Sequence, residues 1–220
     1  MTLLWIRCAF YFCYLTAAIG TIDDGKYSSP YEAFSYEDAN MILKYNGTMR
    51  LFRTSRTWTP LIAMCLKSRY ISKNGSSYLR TADYYAVTKV NRKPTIKHFN
   101  LTLQVTPRLP GNSQGFITVK GIEQKPDLPS ALGSLLLNKE RTYPVLFADP
   151  RCLIIGYYSA LGRSFCMLFV TDEALRNPLR HCNFMLLSMC GTPAYNAYTY
   201  EHHVYAFCNA SDGHRTQNIV

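Results

Sequence analysis

Asp83 is the acidic residue whose place in a predicted strand could support ligand chemistry. It shares one strand face with Leu79, Tyr85 and Val87, because side chains alternate between the two faces of a strand. If that face points into a cavity, Asp83 offers a counter-ion for a cationic amine, since an unpaired charge cannot be left dry. The alternative is a solvated or salt-bridged aspartate near a barrel mouth, because Asp is almost never fully buried without a partner.

Aromatic side chains on the predicted strands form the second group of candidates. Aromatic rings attract cations and also make apolar cavity walls. Together with Tyr85, the candidates are Phe52, Trp58, Phe99 and Tyr157. A large aromatic residue in a strand is more often plain core, so packing without any ligand contact stays open for each of them.

The sequence contains no pattern typical of an enzyme or a metal site. We find no CxxC, no glycine-rich phosphate loop, no His-Glu-x-x-His and no nucleophile elbow. His202 and His203 are adjacent, so on a strand their rings would face opposite ways and could not share a metal ion. We therefore expect no catalysis, no metal and no cofactor.

The N-terminus predicts a secretory signal peptide over residues 1–20. Arg7 precedes a short apolar core, and Ala18 and Gly20 are small residues suited to a cleavage site. The core is too short to span a bilayer, and no later stretch is long and apolar enough to do so. We expect a soluble, secreted protein with one domain over residues 21–220.

Six of the eight cysteines remain after the leader is removed. They are Cys65, Cys152, Cys166, Cys182, Cys190 and Cys208. An even number in a secreted chain predicts up to three disulfides, and six cysteines allow fifteen pairings. Four glycosylation sequons support the same compartment, at Asn46, Asn74, Asn100 and Asn209.

The formal charge of +10 becomes +9 when Arg7 leaves with the leader. The basic residues are dispersed along the chain, and the densest run, Lys89-Val-Asn-Arg-Lys93, is short. This distribution is typical of a soluble basic surface rather than of a dedicated partner site. We expect neither nucleic acid nor a membrane as a partner, and a monomeric chain.

Apolar runs bounded by Gly, Pro and Asp predict eight strands after a short helix at 36–45. The clearest alternation puts Phe99, Leu101, Leu103 and Val105 on one face of the fourth strand. The stretch from Tyr143 to Cys208 reads as three strands, a helix and a strand. Turns are short and no βαβ spacing occurs, so the strands should be antiparallel.

The predicted fold class is all-β. Eight antiparallel strands close into a barrel whose interior can hold one small ligand. The short N-terminal helix would precede the barrel, and a C-terminal helix ending near Cys190 would pack outside it. The last pair of strands, around Leu153 and Leu168, is apolar on both faces, as burial between barrel and helix requires.

The cysteine-bearing segments resemble the salivary lipocalins of ticks, the group that includes the histamine-binding proteins. Cys166-Met-Leu-Phe-Val170 resembles that family's Cys-x-Leu-Trp-Val strand, and Cys152-Leu-Ile-Ile-Gly-Tyr157 resembles the cysteine-led strand before it. Residues 178–182 are similar to the family's proline-cysteine helix. Cys65 and Cys208 match the cysteines of the second strand and the C-terminus, and the resemblance covers roughly residues 33–208.

The resemblance implies a lipocalin barrel with disulfides between Cys65 and Cys208 and between Cys152 and Cys182. It leaves Cys166 to pair with Cys190. It also implies a secreted protein that sequesters a small host mediator, such as histamine or serotonin, to dampen host defence. A barrel that serves only as a scaffold, with a surface that binds a host complement or clotting factor, is the competing interpretation.

The sequence departs from the family at one informative place. Amine-binding members use a tyrosine and an aspartate near the end of the first strand, whereas this chain reads Arg53-Thr-Ser-Arg-Thr-Trp58. Cations there disfavour an amine and suit the carboxylate of a fatty acid or an eicosanoid-like lipid. Arg53 and Arg56 occupy opposite faces of a regular strand, so at most one points inward, and Arg56 joins the candidate ligand residues.

Overall fold

The computed structural model describes residues 35–55, 63–90, 93–109, 114–122, 140–158, 164–175, 180–191 and 195–208. A short helix, α1 (Asn40–Leu43), precedes eight strands. The strands are β1 (Thr48–Thr54), β2 (Met64–Asn74), β3 (Ser77–Val90), β4 (Lys93–Arg108), β5 (Phe116–Gly121), β6 (Arg141–Ala148), β7 (Cys152–Tyr158) and β8 (Ser164–Thr171). Helices α2 (Asp172–Leu175), α3 (Arg180–Cys190) and α4 (Ala197–Val204) follow, and a 3-10 turn (Ala206–Cys208) ends the described chain.

The eight strands form one closed antiparallel barrel. Each strand pairs with the next along the chain, and β1 pairs with β8, where Met49 lies opposite Thr171. Closure pairs both edges of the sheet formed by the eight described strands and encloses one interior. The predicted fold class is confirmed.

The barrel interior is a single apolar cluster to which all eight strands contribute. Its members include Leu51, Leu66, Tyr84, Leu101, Ile117, Val145, Ile155 and Phe169, one from each strand in order. Helix α1 adds Ala39, Ile42 and Leu43 at one end. Any residue that alternates with a member of this cluster along a regular strand therefore faces outward.

A second apolar cluster lies outside the barrel wall. Residues of β6, β7 and β8 such as Phe147, Ile154 and Leu168 pack there against Ala174 of α2 and Leu186 of α3. These strands are consequently buried on both faces, which explains why their sequences are continuous apolar runs rather than alternating patterns.

Three disulfides fasten the C-terminal segments to the barrel. Cys152–Cys182 and Cys166–Cys190 join α3 to β7 and β8, and Cys65–Cys208 joins the final turn to β2. These are the same pairs that the resemblance implied. Each cross-link is expected to contribute about 2–4 kcal/mol, mainly by restricting the unfolded chain.

Arg80 closes the α1 end of the barrel. Its guanidinium is buried and donates to the carbonyl oxygens of Leu43, Tyr45, Gly47 and Ser68 at 2.9–3.1 Å and to the Ser68 hydroxyl at 3.2 Å. These five bonds use the full donor capacity of an arginine. Burial lowers the pKa of Arg80 to about 10, so the group stays charged at neutral pH and holds the α1–β1 connection against β2.

The strand predicted just before Cys208 is wrong, because that segment is the helix α4. Asn196 is its N-cap, and its side-chain oxygen accepts the Thr199 N–H at 3.0 Å. Ala197 and Glu201 are both buried and lie four residues apart, on one helical face. None of the described helices is long and apolar enough to cross a membrane.

Candidate functional site

Tyr84 and Phe99 form the aromatic centre of the barrel interior. They lie directly opposite each other on β3 and β4, with ring centroids 5.4 Å apart and ring planes 17° from parallel. Both side chains are buried in the interior cluster. Phe99 therefore faces the barrel interior, and its contact with a ligand stays a prediction, whereas Tyr84 was not among the predicted residues.

Asp83 faces outward. Its predicted role as a counter-ion in the barrel required it to face inward, so that expectation is wrong. Directly opposite residues of an antiparallel pair share a face, and Asp83 lies opposite Asn100 while Tyr84 lies opposite Phe99. Because Tyr84 and Phe99 are interior, Asp83 is on the outside of the wall. Tyr85, opposite His98, lies outside with it.

The Asp83 carboxylate is already paired by the protein. It accepts hydrogen bonds from Arg69 Nη2 at 3.1 Å and from His98 Nε2 at 2.7 Å, and it is only 3 % exposed. Burial by itself would raise the pKa of Asp83, but the His98 hydrogen bond and the charges of Lys67, His98 and Arg69 together lower it below the usual range. The group is therefore an ionised structural partner.

The ring of Tyr85 helps to cover this outer ion cluster. Its centroid lies 4.8 Å from that of His98 and 4.7 Å from that of Phe207 in the final turn. Since Cys208, the next residue, is tied to β2, the C-terminal turn is held over the wall. Tyr85 thus packs between the barrel and its C-terminal segment rather than inside the cavity.

Phe52 also faces outward, contrary to its predicted role in the cavity. Phe52 follows interior Leu51, so strand alternation places it outside, and a β-bulge between Leu51 and Arg53 puts Arg53 on the outer side as well. Phe52 packs in the outer cluster, with its ring 6.4 Å from that of Tyr198 in α4. The Arg53 guanidinium lies 5.3 Å from the Phe52 ring centroid on the same side.

Four other candidates lie wholly or partly outside the described residues. Arg56, Trp58 and Asn209 lie outside the described residues. Tyr157 is in β7 opposite Phe165, but its side chain is outside the described part of the structure. Among the sequons, Asn46, Asn74 and Asn100 are exposed, as a glycan acceptor must be, and their glycosylation stays a prediction.

Two cationic residues that the sequence analysis did not single out occupy inward-facing strand positions. Lys97 lies opposite Ala86, and Arg141 lies opposite Val119, and both of these partners belong to the interior cluster. Lys97 could have been found from the alternation of β4, because it precedes Phe99 by two residues. Both cations lie toward the end of the barrel opposite α1.

The strands supply no carboxylate to the interior. Asp83 is the only acidic residue on the eight strands as the structure describes them, and it faces outward. The described wall therefore combines aliphatic and aromatic side chains with phenolic hydroxyls and cations. Such a surface suits an apolar ligand that carries a neutral polar or an anionic group.

Glu201 is a second buried carboxyl group, and it lies between α4 and β2. It accepts the backbone N–H of Cys65 at 2.8 Å, at a position where Cys65 has a left-handed φ of 55°. Burial raises the pKa of Glu201 to about 7, and the Cys65 hydrogen bond offsets part of this effect. Its surroundings also include Tyr195 and Tyr205, whose own pKa values are raised by burial and by nearby charge.

A cluster of potential metal ligands at the β6–β7 turn is occupied by other bonds. Asp149, Cys152, His181 and Cys182 come close together, but the two sulfurs form a disulfide and offer no thiolate. Asp149 accepts backbone N–H bonds from Arg151 and Cys152, and its other oxygen lies 2.5 Å from His181 Nε2. The cluster therefore fastens the turn to α3.

Comparison with known proteins identifies the family. Residues 31–205 match the family model of the tick histamine-binding protein. The chain belongs to the tick histamine-binding protein family. Members of this family are secreted salivary ligand-binding proteins of the lipocalin type, generally without catalytic activity, and the three disulfides of this chain fit an extracellular compartment.

Solved structures with a similar fold include other barrels of this type. Japanin from Rhipicephalus appendiculatus, in a structure bound to cholesterol, is 19% identical with a TM-score of 0.49, covering 69% of this chain and 91% of Japanin. Lobster apocrustacyanin A1 is 12% identical with a TM-score of 0.42, covering 80% of this chain and 92% of the other. Apocrustacyanin C2 is 11% identical with a TM-score of 0.44 and the same coverage, 80% and 92%. Among curated proteins, no sequence match was found.

Proposed function

We propose that this protein sequesters a small host lipid with an acidic head group inside its barrel. The observation that carries the proposal is the charge of the inward-facing strand positions, which include Lys97 and Arg141 and no carboxylate among the described strand residues. A cationic amine would lack a strand counter-ion there, because Asp83 faces outward and is already paired.

The interior suits the chain of such a lipid. Tyr84, Phe99, Leu101, Met167 and Phe169 are among the side chains of this cluster. Burying one methylene group of a ligand against this kind of surface contributes about 0.8 kcal/mol. The α1 end is closed by Arg80 and its carbonyl partners, so the acidic group would lie toward the opposite end, where Lys97 and Arg141 are.

The test is isothermal titration of the folded, disulfide-intact protein with oleate, histamine and serotonin in parallel. Oleate should bind, and Lys97→Gln should weaken its binding about 3- to 10-fold, the magnitude of one lost charge-assisted contact. Lys120→Gln is the matched control, because Lys120 is exposed on β5 and faces outward. Tight binding of an amine without binding of oleate would contradict the proposal.

Secretion is part of the same proposal. A mediator at a feeding site is extracellular, and the cysteines of the described chain are all in disulfides. Protein collected from the medium of expressing cells should begin at Thr21, after cleavage at Gly20. N-terminal sequencing checks this, and glycosidase treatment should reveal sugar on the exposed sequons.

Binding of a host protein is a second candidate function, favoured by an exposed apolar face on α3. Phe184 is 67 % exposed and Leu187 is 37 % exposed on that helix. The two residues lie three positions apart on one helical face, and contiguous exposed apolar surface is a mark of contact sites. If this surface inhibits a host cascade, Phe184→Asp should abolish inhibition in complement or clotting assays while oleate binding is unchanged.

A further inference from the structure

We infer that residues 195–208 form a pH-sensitive strap that closes a gap in the barrel wall between β1 and β2. The Glu201 carboxyl group is the latch of this strap: it keeps the strap docked while it is protonated and loosens it when it ionises. An open strap gives a ligand a lateral route to the interior. The inference goes beyond the proposed function, because it concerns access to the barrel and not the identity of the ligand.

The gap lies where β1 and β2 part from each other. Their described pairing runs from Thr48 opposite Arg69 to Arg50 opposite Lys67, and it does not reach residues 51–54 of β1. Thr54, the last residue of β1, instead exchanges two backbone hydrogen bonds with Tyr195, at 2.9 and 2.7 Å. The strap therefore takes the place of β2 beside this end of β1.

Two residues of the strap complete the apolar interior at the gap. Ala197 is fully buried in the interior cluster, and Tyr195 packs against the same cluster. Burial is the main cause that raises the pKa of Tyr195 to about 12, as expected of a phenol removed from water. Lifting the strap would therefore expose interior surface beside β1.

Disulfides anchor the chain on both sides of this segment. Cys190 precedes the strap and is bonded to Cys166 of β8, and Cys208 at its end is bonded to Cys65 of β2. A segment held in this way can lift from the wall without leaving it, because both anchors stay attached. The contacts between the anchors then decide whether the strap is closed.

Glu201 is the buried polar contact between the middle of the strap and β2. The residue is 4 % exposed, and its carboxylate accepts the Cys65 N–H at 2.8 Å. No lysine or arginine of the described chain forms an ion pair with it. An ionised carboxylate is costly at such a place, because burial removes water and no cation replaces it.

The groups around Glu201 fix the direction of its pH dependence. Burial raises its pKa to about 7, and the Cys65 hydrogen bond offsets part of this effect. The other titratable groups beside it are the phenols of Tyr195, Tyr200 and Tyr205 on the strap itself. Because the docked pKa is above the ordinary value of 4.5, the contribution of Glu201 to docking is complete below that value and is lost as the pH rises through about 7.

His202, on the face of α4 toward β1, acts in the opposite direction. Burial and the charge of Arg50 lower its pKa, so protonation of His202 disfavours docking at acid pH. Arg50 itself is paired with Asp172 of α2. The effect of Glu201 must therefore be measured against a variant that keeps His202.

The experiment is native-state hydrogen exchange of the folded, disulfide-intact protein between about pH 5.5 and 7.5. Backbone amides of Tyr195, Tyr200 and Tyr205 report on the strap, and those of the β3–β4 pair report on the barrel. After correction for the intrinsic pH dependence of exchange, strap opening in the wild type relative to Glu201→Gln should rise about 10- to 30-fold over this range. Strap amides should also exchange faster than barrel amides, because the opening is local.

Two histidine variants complete the design. His202→Gln keeps the latch and removes the opposing group, so its strap opening should by itself rise about 10- to 30-fold over the same range, whether or not Glu201→Gln folds. His203→Gln is the matched control, because His203 is exposed on the same helix, and it should behave like the wild type. A flat profile in His202→Gln, or strap amides that exchange only as slowly as the barrel, would show that the inference is wrong.

Release of oleate to albumin gives the functional readout. Release from the wild type relative to Glu201→Gln should accelerate over the same pH range as strap opening does. Equal release rates from a strap that opens would show that the ligand does not pass this gap, and the role as a gate would be wrong. If oleate does not bind at all, the proposed function is wrong, and the exchange experiment still decides whether Glu201 is the latch.

Discussion

Asp83 and Tyr84 are consecutive residues on opposite sides of one barrel wall, and their polar groups differ in whether they have hydrogen-bond partners. Outside, Asp83 is paired with Arg69 and His98, and Tyr85, whose ring contacts His98, also contacts Phe207 of the C-terminal turn. Inside, the Tyr84 hydroxyl has no partner among the described residues. A polar group that is paired by the fold stabilises the structure, whereas the buried Tyr84 hydroxyl contributes no hydrogen bond to the described fold.

The largest effect should come from Asp83→Ala. Removal of this carboxylate takes away the hydrogen bonds from Arg69 and His98 and the charge beside buried Lys67. Because Arg69 and His98 are about half exposed, water replaces part of what they lose, and the expected cost is about 1.5–3 kcal/mol, the value of a hydrogen bond to a charged group. Urea denaturation with the disulfides intact should show a loss of free energy of unfolding in this range, with unchanged oleate affinity for the folded protein. A stable variant that has lost ligand binding would contradict the outward placement of Asp83.

Glu201 should produce a smaller effect that depends on pH in the opposite sense to Asp83. Its pKa is raised to about 7, so the folded chain binds the proton more tightly than the unfolded chain between about pH 4.5 and 7. The free energy of unfolding should therefore fall as pH rises through this window. The lowered pKa of Asp83 acts the other way, since its stabilisation is present above the unfolded value of 3.8 and is lost as pH falls below it.

Glu201→Gln tests this directly. The amide can still accept the Cys65 N–H but carries no charge to desolvate. Relative to the wild type, the variant should be about 1–3 kcal/mol more stable at neutral pH and should lose the pH dependence between about pH 5 and 7. Denaturation curves at several pH values measure both effects, and a variant with an unchanged pH profile would show that Glu201 does not titrate in this window.

The smallest effect on stability should come from Tyr84→Phe. The hydroxyl it removes makes no hydrogen bond with a described residue, so the free energy of unfolding should stay the same or rise by up to about 1 kcal/mol. Tyr78→Phe, which breaks the bond to Asn40, should instead lower it by about 1 kcal/mol. If Tyr84→Phe destabilises the protein as much as Tyr78→Phe does, its hydroxyl has a protein partner.

The sequence was informative where the pattern along one strand was sufficient. The alternation of β4 correctly separated Phe99 from His98, and the continuous apolar runs of β7 and β8 correctly predicted burial on both faces. The pattern of β3 was ambiguous, because its interior face carries Arg80, while its outer face carries Leu79, Tyr85 and Val87. An arginine is buried there only because carbonyl groups from the α1–β1 connection receive its hydrogen bonds.

The C-terminal segment shows a second limit of predicting structure from sequence. Residues 195–208 are rich in tyrosine, which favours strands in general, and the segment was predicted to be one. The Asn196 cap and the spacing of Ala197 and Glu201 favour a helix. Burial of that helical face against β1 and β2 outweighs the preference of the tyrosines for a strand. Local propensity is weak compared with packing of this kind.

The sequence by itself determined the eight strands, the all-β class and the set of cysteines, because these depend on residue order and on composition. Only the tertiary structure decided which face of β3 lines the cavity, because strand pairing fixes a face and a shift of one residue inverts it. The bulge that puts Arg53 on the outer side beside Phe52 and the cluster that pairs Asp83 depend on contacts between distant parts of the chain. The choice between an amine and a lipid therefore depends on register, which no single strand encodes.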